Sequence, residues 1–225
     1  MSLSKIPDKE KLSRNGLLLK QVPVADRTCA KCLAAVTDNG LALSYVPRSM
    51  QNSLICLAAV EQDGFALQYV AKQTHDICLI AVLKTPLSIQ FVEDKSEDLC
   101  LAAVRGDGMA LRYIPNPSAA VCAAALANNV QALAYIPAEH IDLAQKYIAR
   151  DGLLLRYVSH QDKKICLEAV RQNGLALRHV KEQTPAICRE AVRQNWEAIQ
   201  YVLKKTSALL QIVQEQNPEA ASFAS

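Results

Sequence analysis

The sequence has little glycine and few aromatic residues: seven Gly, and 5% Phe, Trp and Tyr, among 225 residues. Together with abundant Ala and Leu, this composition favours helices over a β-barrel or a β-sandwich. No run approaches the ~20 uncharged apolar residues that a bilayer span requires, so a transmembrane helix is excluded. A net charge of only +3 and a hydrophobic fraction of 51% exclude a disordered chain.

Common catalytic motifs are also missing. The chain contains no Gly-x-Ser-x-Gly, no His-Glu-x-x-His and no phosphate-binding glycine loop. Its four histidines are His75, His140, His160 and His179, and the first three fall at predicted helix starts or in loops. We therefore predict no enzyme and no cofactor, and a cysteine-dependent enzyme is the weakest of the alternatives.

The pair Cys29 and Cys32 forms a C-x-x-C motif, which is typical of a redox pair or of half a zinc site. No second pair and no histidine cluster completes a metal site, so none is predicted. The other cysteines lie inside apolar runs, such as Ile-Cys-Leu-Ala-Ala-Val at 55–60. Because the first residues lack the apolar segment of a signal peptide, we expect reduced thiols that pack as small hydrophobic side chains.

Seven of the eight cysteines mark a repeat of 22 residues. They are Cys32, Cys56, Cys78, Cys100, Cys122, Cys166 and Cys188. Ala144 stands midway in the gap of 44 residues before Cys166 and marks a further repeat. Counting this residue as position 0, the repeat reads Ile/Leu-Cys-Leu-Ala-Ala-Val, then Asp/Asn-Gly at +7 and +8, then Leu-Ala-Leu-x-Tyr-Val to +14. We predict about nine repeats over residues 5–205 and a frayed tail at 206–225, in a single domain 1–225.

Two columns of helix-capping residues define the predicted helices. Eight of the nine residues at position −4 can cap a helix N-terminus: Thr28, Asn52, Thr74, Ser96, Ser118, His140, Asp162, Thr184 and Thr206. Position +7 holds a second set: Asn15, Asn39, Asp63, Thr85, Asp107, Asn129, Asp151, Asn173, Asn195 and Asn217. Prolines at +15 then end the second helix in several repeats. Each repeat is therefore predicted to contain a ten-residue helix A from −3 and a seven-residue helix B from +8 to about +14.

The apolar positions predict how these helices stack. Helix A is apolar from −1 to +4, which is too wide for one face, so we expect it to lie between neighbours. Helix B offers positions +10, +11 and +14 to the core, and positions +9 and +13 as a second stripe. Helices this short are marginal alone, so each repeat must bury its apolar surface against the next. The predicted fold class is all-α, an α-solenoid of helix-turn-helix repeats.

The repeat resembles a tandem helical-repeat domain of unknown function found in type IV-secreted effectors of intracellular bacterial pathogens. The best local matches are residues 55–70, 99–114 and 165–180, and the resemblance covers nearly the whole chain. The loops after helix B are shorter here than in typical members. The resemblance implies an interaction scaffold without established catalytic residues, present in the bacterial cytoplasm before secretion and in the host cytosol after translocation. The polar, Glu-containing segment 214–225 is similar to the translocation signals of such effectors.

Basic residues concentrate at three positions of the repeat. In the repeats before the tail, positions +5, +6 and +12 hold ten of the 25 basic residues, against the two acids Asp38 and Glu61. Cations at the end of helix A also suit its dipole, but position +12 lies within helix B. We predict a basic face, densest in the C-terminal half, from these residues: Arg105, Arg112, Arg150, Arg156, Arg171, Arg178 and Arg193.

The predicted function is a non-enzymatic scaffold that binds an acidic host protein through this face. Arginine captures carboxylate and phosphate alike, so anionic lipid is an alternative partner. The aromatic column at +13, in which His179 is the exception, would suit stacking of nucleic-acid bases, but packing between repeats is the favoured interpretation. The small net charge also disfavours nucleic acid.

Overall fold

The protein is an all-α repeat array, and the computed structural model describes residues 6–219. The α-helices are α1 Lys9–Leu12, α2 Cys29–Asp38, α3 Ser53–Gln62, α4 His75–Lys84, α5 Glu97–Gly106, α6 Ala119–Asn128, α7 Ile141–Ile148, α8 Lys163–Gln172, α9 Pro185–Gln194 and α10 Ser207–Gln216. Six-residue 3₁₀ helices span Gly16–Gln21, Gly40–Tyr45, Gly64–Tyr69, Pro86–Phe91, Gly108–Tyr113, Val130–Tyr135, Gly152–Tyr157, Gly174–His179 and Trp196–Tyr201. Three-residue 3₁₀ turns lie at Val24–Asp26, Arg48–Met50 and Ala138–His140. Between Ile6 and Glu219, none of the helices has the length and apolar character needed to cross a membrane.

Helix A begins where the capping column predicts in most repeats. At the start of α3, the Asn52 side chain accepts a hydrogen bond from the backbone N–H of Ile55 at 3.0 Å, which satisfies a donor that the helix itself leaves unpaired. Position −4 makes the same bond at the start of α2, α4, α6, α8 and α9. The predicted ten-residue length is confirmed from α2 to α10 except in α7, which has eight residues and follows a 3₁₀ turn.

Helix B differs from the prediction, because it is a six-residue 3₁₀ helix from +8 to +13 rather than a seven-residue helix to +14. In Gly64–Tyr69, the N–H of Ala66 donates to the Asp63 carbonyl at 2.9 Å, the i to i+3 pattern. The Asp63 carboxylate accepts from the N–H of Phe65 at 2.9 Å, so the residue at +7 caps this helix as predicted. A segment this short has room for few hydrogen bonds, and 3₁₀ geometry forms them within three residues.

The chain divides into two compact units, with the boundary between Val130 and Gln131. In the first unit, successive helices A pack side by side from α1 to α6, and the 3₁₀ helices from Gly16–Gln21 to Gly108–Tyr113 form a parallel row of neighbours. In the second unit the same pairing runs from α7 to α10 and from Gly152–Tyr157 to Trp196–Tyr201. Each repeat therefore packs on its sequence neighbours within its unit, as repeat arrays do.

The core is formed by recurring positions of the repeat. In the repeat of Cys56, the buried residues are Ile55, Cys56, Ala59, Val60, Ala66, Leu67 and Val70. Positions +10, +11 and +14 are therefore buried as predicted. Leu57 and Ala58, at +1 and +2, are only half-buried, so helix A packs on a narrower face than its apolar run predicts. α3 packs on α2 and α4 and on the 3₁₀ helices Gly40–Tyr45 and Gly64–Tyr69, and the side that carries Leu57 and Ala58 remains partly exposed.

A helix also forms in part of the segment that was expected to fray. α10 spans Ser207–Gln216, and Leu209 and Val213 are buried where α10 packs on α9. The apolar positions −1 and +3 of this last repeat are thus sufficient to hold its helix A. Residues 220–225 of the predicted tail lie outside the described residues.

Glycine at +8 allows helix B to approach the next repeat closely. A Cβ on Gly108 would lie 2.5 Å from the carbonyl oxygen of Ala125. The N–H of Gly108 donates to Asn128 Oδ1, at +6 of the next repeat, at 2.7 Å. Position +8 is not glycine in every repeat, because it also holds Val130, Trp196 and Pro86. Gly106 faces Pro86, and a Cβ on Gly106 would lie 2.5 Å from Pro86 Cγ. Pro86 has no N–H to donate and Gly106 has no side chain to accept, so space and hydrogen bonding are matched across this joint.

Candidate interaction surface

All seven predicted arginines are exposed, and they fall into two groups. Arg105 and Arg112 belong to the first unit, where the Arg112 guanidinium lies over the Tyr113 ring at 4.5 Å from its centroid. The second unit carries the other five, which are called the arginine surface below: Arg150, Arg156, Arg171, Arg178 and Arg193.

The 3₁₀ geometry of helix B explains why position +12 faces solvent. A period of three residues places +8, +11 and +14 in one row and +9 and +12 in another. The first row is buried in Gly152, Leu155 and Val158. Arg156, at +12 of the same repeat, is consequently exposed.

Two members of the arginine surface converge on His179. Arg178 Nε donates to His179 Nε2 at 2.9 Å. Burial lowers the pKa of His179, and the charges of Arg178 and then Arg156 lower it further, so the imidazole is neutral at pH 7 and can accept this bond. The Arg156 guanidinium in turn lies over the Tyr157 ring, 4.6 Å from its centroid. Residues at +13 thus position the cations at +12 on two neighbouring repeats.

The other members of the arginine surface differ in whether an acidic side chain of the protein already pairs with them. Arg171 Nε lies 3.3 Å from Glu190 Oε1 in an ion pair whose arginine side chain is 58% exposed. For Arg150 and Arg193, the described part of the chain supplies no ion pair. Arg156 and Arg178 therefore both lie near enough to His179 to lower its pKa, and Arg171 is paired with an acid.

The aromatic column at +13 lies between repeats with part of each ring exposed. Most of its members are half-buried, and the more open ones, Tyr69 and Tyr135, are exposed to 38% and 37%. Phe91 meets Phe65 of the preceding repeat edge to face, with 6.1 Å between ring centroids. These contacts support the interpretation of the column as packing between repeats.

A polar column at position −5, which was not predicted from the sequence, ties the start of helix A to the loop after helix B. Gln73 Nε2 donates to the carbonyl of Phe91 at 2.8 Å, and Gln73 Oε1 accepts from the N–H of Glu93 at 3.0 Å. The same pair of bonds is made by Gln51, Gln161 and Gln183. A glutamine one residue before the N-cap does recur in the sequence, but its partners lie 18 and 20 residues further on.

The column cysteines are buried, as predicted, and several use these glutamines as partners. Cys78 Sγ donates to Gln73 Oε1 at 3.4 Å. Equivalent pairs are Cys166 with Gln161 and Cys188 with Gln183. Burial, reinforced by two nearby carboxylates, raises the pKa of the Cys166 thiol to about 11. A buried, protonated thiol is a poor nucleophile, which agrees with a packing role at position 0. Cys29, outside the column, is exposed.

His75, at the start of α4, and His160, in a loop, both lie at the surface. His75 Nε2 lies 3.0 Å from Asp98 Oδ2, and both side chains are more than half exposed. A hydrogen bond from Ser96, together with the charge of His75, lowers the pKa of Asp98. His160 is exposed in its loop. Residues 6–219 contain no group of three or more His, Cys, Asp or Glu side chains that could hold a metal ion.

The fold defines the class of protein, a helical-repeat array. Within it, residues 140–183 match the family model of DUF4116, a domain of unknown function. This segment covers α7, α8 and the 3₁₀ helices Gly152–Tyr157 and Gly174–His179, and so it includes Arg156 and Arg178. Neither the curated proteins nor the solved structures gave a match to the chain.

Proposed function

We propose that this protein is a non-enzymatic interaction scaffold whose second unit binds an acidic partner through the arginine surface. The observation that carries the proposal is the placement of Arg156 and Arg178, held by Tyr157 and His179 on neighbouring repeats. Guanidinium groups bind carboxylates through paired hydrogen bonds. Because stacking and hydrogen bonding already restrict these two side chains, less rotamer entropy is lost when they bind.

An acidic protein surface is favoured over a uniform polyanion. The exposed acids Glu168 and Glu182 lie on α8 and on the loop before α9, in the same repeats as Arg171 and Arg178. A nucleic-acid backbone or an anionic membrane presents negative charge everywhere and would be repelled by these acids. A protein partner can instead match the pattern of charges, which gives specificity.

The resemblance to type IV-secreted effectors extends the proposal to the setting of this interaction: translocation out of the bacterial cytoplasm and a host protein as the partner. What supports this part is the resemblance of the repeats and of segment 214–225, beside the DUF4116 match at residues 140–183. A translocation reporter fused to the chain tests it. Delivery into host cells that stops when segment 214–225 is removed would support it, and no delivery from the complete chain would contradict it.

Charge reversal tests the arginine surface itself. We predict that Arg156→Glu combined with Arg178→Glu abolishes capture of an acidic peptide of repeating Glu-Glu-Lys at low salt, while the circular dichroism spectrum and the melting temperature stay unchanged. The matched control is Arg48→Glu with Lys72→Glu, two exposed cations in loops of the first unit, which should leave capture intact.

The same assay distinguishes the competing classes of partner, which are protein, lipid and nucleic acid. Phosphatidylserine vesicles and a single-stranded RNA replace the Glu-Glu-Lys peptide as probes, and we expect both to bind more weakly. Stronger binding of the vesicles or of the RNA, lost in the double variant, would move the partner class to lipid or nucleic acid. Capture of the peptide that survives the double reversal would contradict the assignment of the surface.

A further inference from the structure

The joints between successive helices A contain cavities of different size at equivalent places. They measure about 60 Å³ between α8 and α9, about 190 Å³ between α4 and α5, about 300 Å³ between α9 and α10, and about 390 Å³ between α5 and α6. The residue at −5 of the first repeat lines each cavity, and in the same order it is Gln161, Gln73, Gln183 and Lys95. A glutamine at this position therefore does not set the size of the cavity.

The residue at +16 distinguishes these cavities by charge. It is Glu182 between α8 and α9 and Asp94 between α4 and α5, whereas Lys204 occupies this position between α9 and α10. Gln183 lines the groove between α9 and α10, and it bonds to the carbonyl of Tyr201 at 2.8 Å and the N–H of Leu203 at 3.0 Å. These bonds fix its side chain in the wall of the groove.

The groove between α9 and α10 combines an apolar floor with basic walls. Its floor includes Cys188 and Leu209, and Leu203, which is 79% exposed, lies at the rim. Arg189 and Lys204 line the walls, and the lining residues include no acid. The larger cavity between α5 and α6 differs, because Glu93 and Glu97 line it beside Lys95.

We propose that the groove between α9 and α10 binds one apolar side chain from an acidic, extended segment of a partner protein. A volume of about 300 Å³ is at the lower limit for ligand sites, which suits a single leucine-sized side chain. The apolar floor removes that side chain from water, and carboxylates on either side of it meet Arg189 and Lys204. The groove shares no residue with the arginine surface, so this inference goes beyond the proposed function.

Fluorescence polarisation with short peptides tests the chemistry of the occupant. The probe is a labelled, N-acetylated and C-amidated peptide in which one leucine is flanked by two glutamates on each side. We expect it to bind the complete chain, and we expect about tenfold weaker binding when the leucine becomes serine or the glutamates become lysines. Equal binding of the serine peptide, or no binding of the leucine peptide, would overturn the proposal.

Variants of the protein locate the binding. Ala208→Trp fills the groove from the exposed start of α10, and Lys204→Glu reverses a charge on its wall; each should weaken the leucine peptide about tenfold. Lys204 is exposed in a loop, so its reversal remains informative even if Ala208→Trp fails to fold, which circular dichroism reports. The matched control, Arg156→Glu with Arg178→Glu, should leave peptide affinity unchanged. If the control weakens binding and the groove variants do not, the peptide binds the arginine surface, and the groove proposal is wrong while the proposed function gains support.

Discussion

Ser88 shows how a single residue departs from the pattern of the repeat. Its side chain is fully buried at position +10, where the neighbouring repeats have Ala66 and Ala110. Among residues 6–219, Ser88 Oγ is the buried side-chain oxygen without a hydrogen-bond partner. Burying an unpaired hydroxyl costs about 1–3 kcal/mol.

We predict that Ser88→Ala raises the free energy of unfolding by about 1 kcal/mol, because it removes this hydroxyl and leaves a methyl group that other repeats accommodate at the same position. Urea denaturation measures the change. Ser44→Ala is the control: Ser44 is exposed, its hydroxyl donates to the Leu41 carbonyl at 2.8 Å, and its loss should change stability by less than about 0.5 kcal/mol. A destabilised Ser88→Ala variant would show that the hydroxyl does form a bond in solution.

For single residues, whether a side-chain contact can be predicted depends on how far along the chain its partner lies. The cap formed by Asn52 could be predicted, because its partner Ile55 is three residues along the chain. The bonds of Gln73 could not, because they join residues 18 and 20 positions apart that only the folded repeat brings together. The contact of Arg178 with His179 was missed for a different reason: His179 was interpreted only as an exception in an aromatic column.

Helices A and B also differ in how far local sequence determines them. The ends of helix A follow from local caps and were predicted correctly in most repeats. The 3₁₀ form of helix B was not predicted, because buried positions +10, +11 and +14 fit a short α-helix as well as a 3₁₀ helix. The length of the segment decides between them, because six residues have room for few hydrogen bonds and 3₁₀ geometry forms them within three residues.

We predict that Gln73→Ala lowers the free energy of unfolding by about 1–2 kcal/mol, because the half-buried Phe91 carbonyl and the N–H of Glu93 both lose their partner. Gln68→Ala, at an exposed position whose amide bonds only to the Phe65 carbonyl, is the control and should have little effect. Urea denaturation compares the two. Equal effects of both substitutions would mean that water replaces the bonds of Gln73 without cost.

For the whole molecule, the regular repeat predicted an all-α array, and the structure confirms it. The division between Val130 and Gln131 was not predicted, because the 22-residue period continues across it in the sequence. For the same reason, the arginines were predicted as one basic face, and two of them belong to the first unit and five to the second.

Stability should vary along the chain. α7 is the first helix A of the second unit, is two residues shorter than α8, and has Gln145, Lys146 and Tyr147 where the repeats from Cys32 to Cys122 have apolar side chains. We predict that its amides exchange with deuterium faster than those of α8, which packs between α7 and α9, and faster than those of Leu99–Ala103 in α5. Equal protection of α7 and α8 in hydrogen exchange would show that the second unit opens only as a whole.

The matched pair of Pro86 and Gly106 restricts how the gene for this repeat array can recombine. A tandem array grows or shrinks by duplication and deletion of whole copies, because each copy presents the same neighbours on both sides. A crossover between these two repeats would set Pro86 against an ordinary side chain at +6, or leave a glycine N–H at +8 without its acceptor. We therefore expect the two repeats to be inherited together, with recombination of the array confined to the joints on either side.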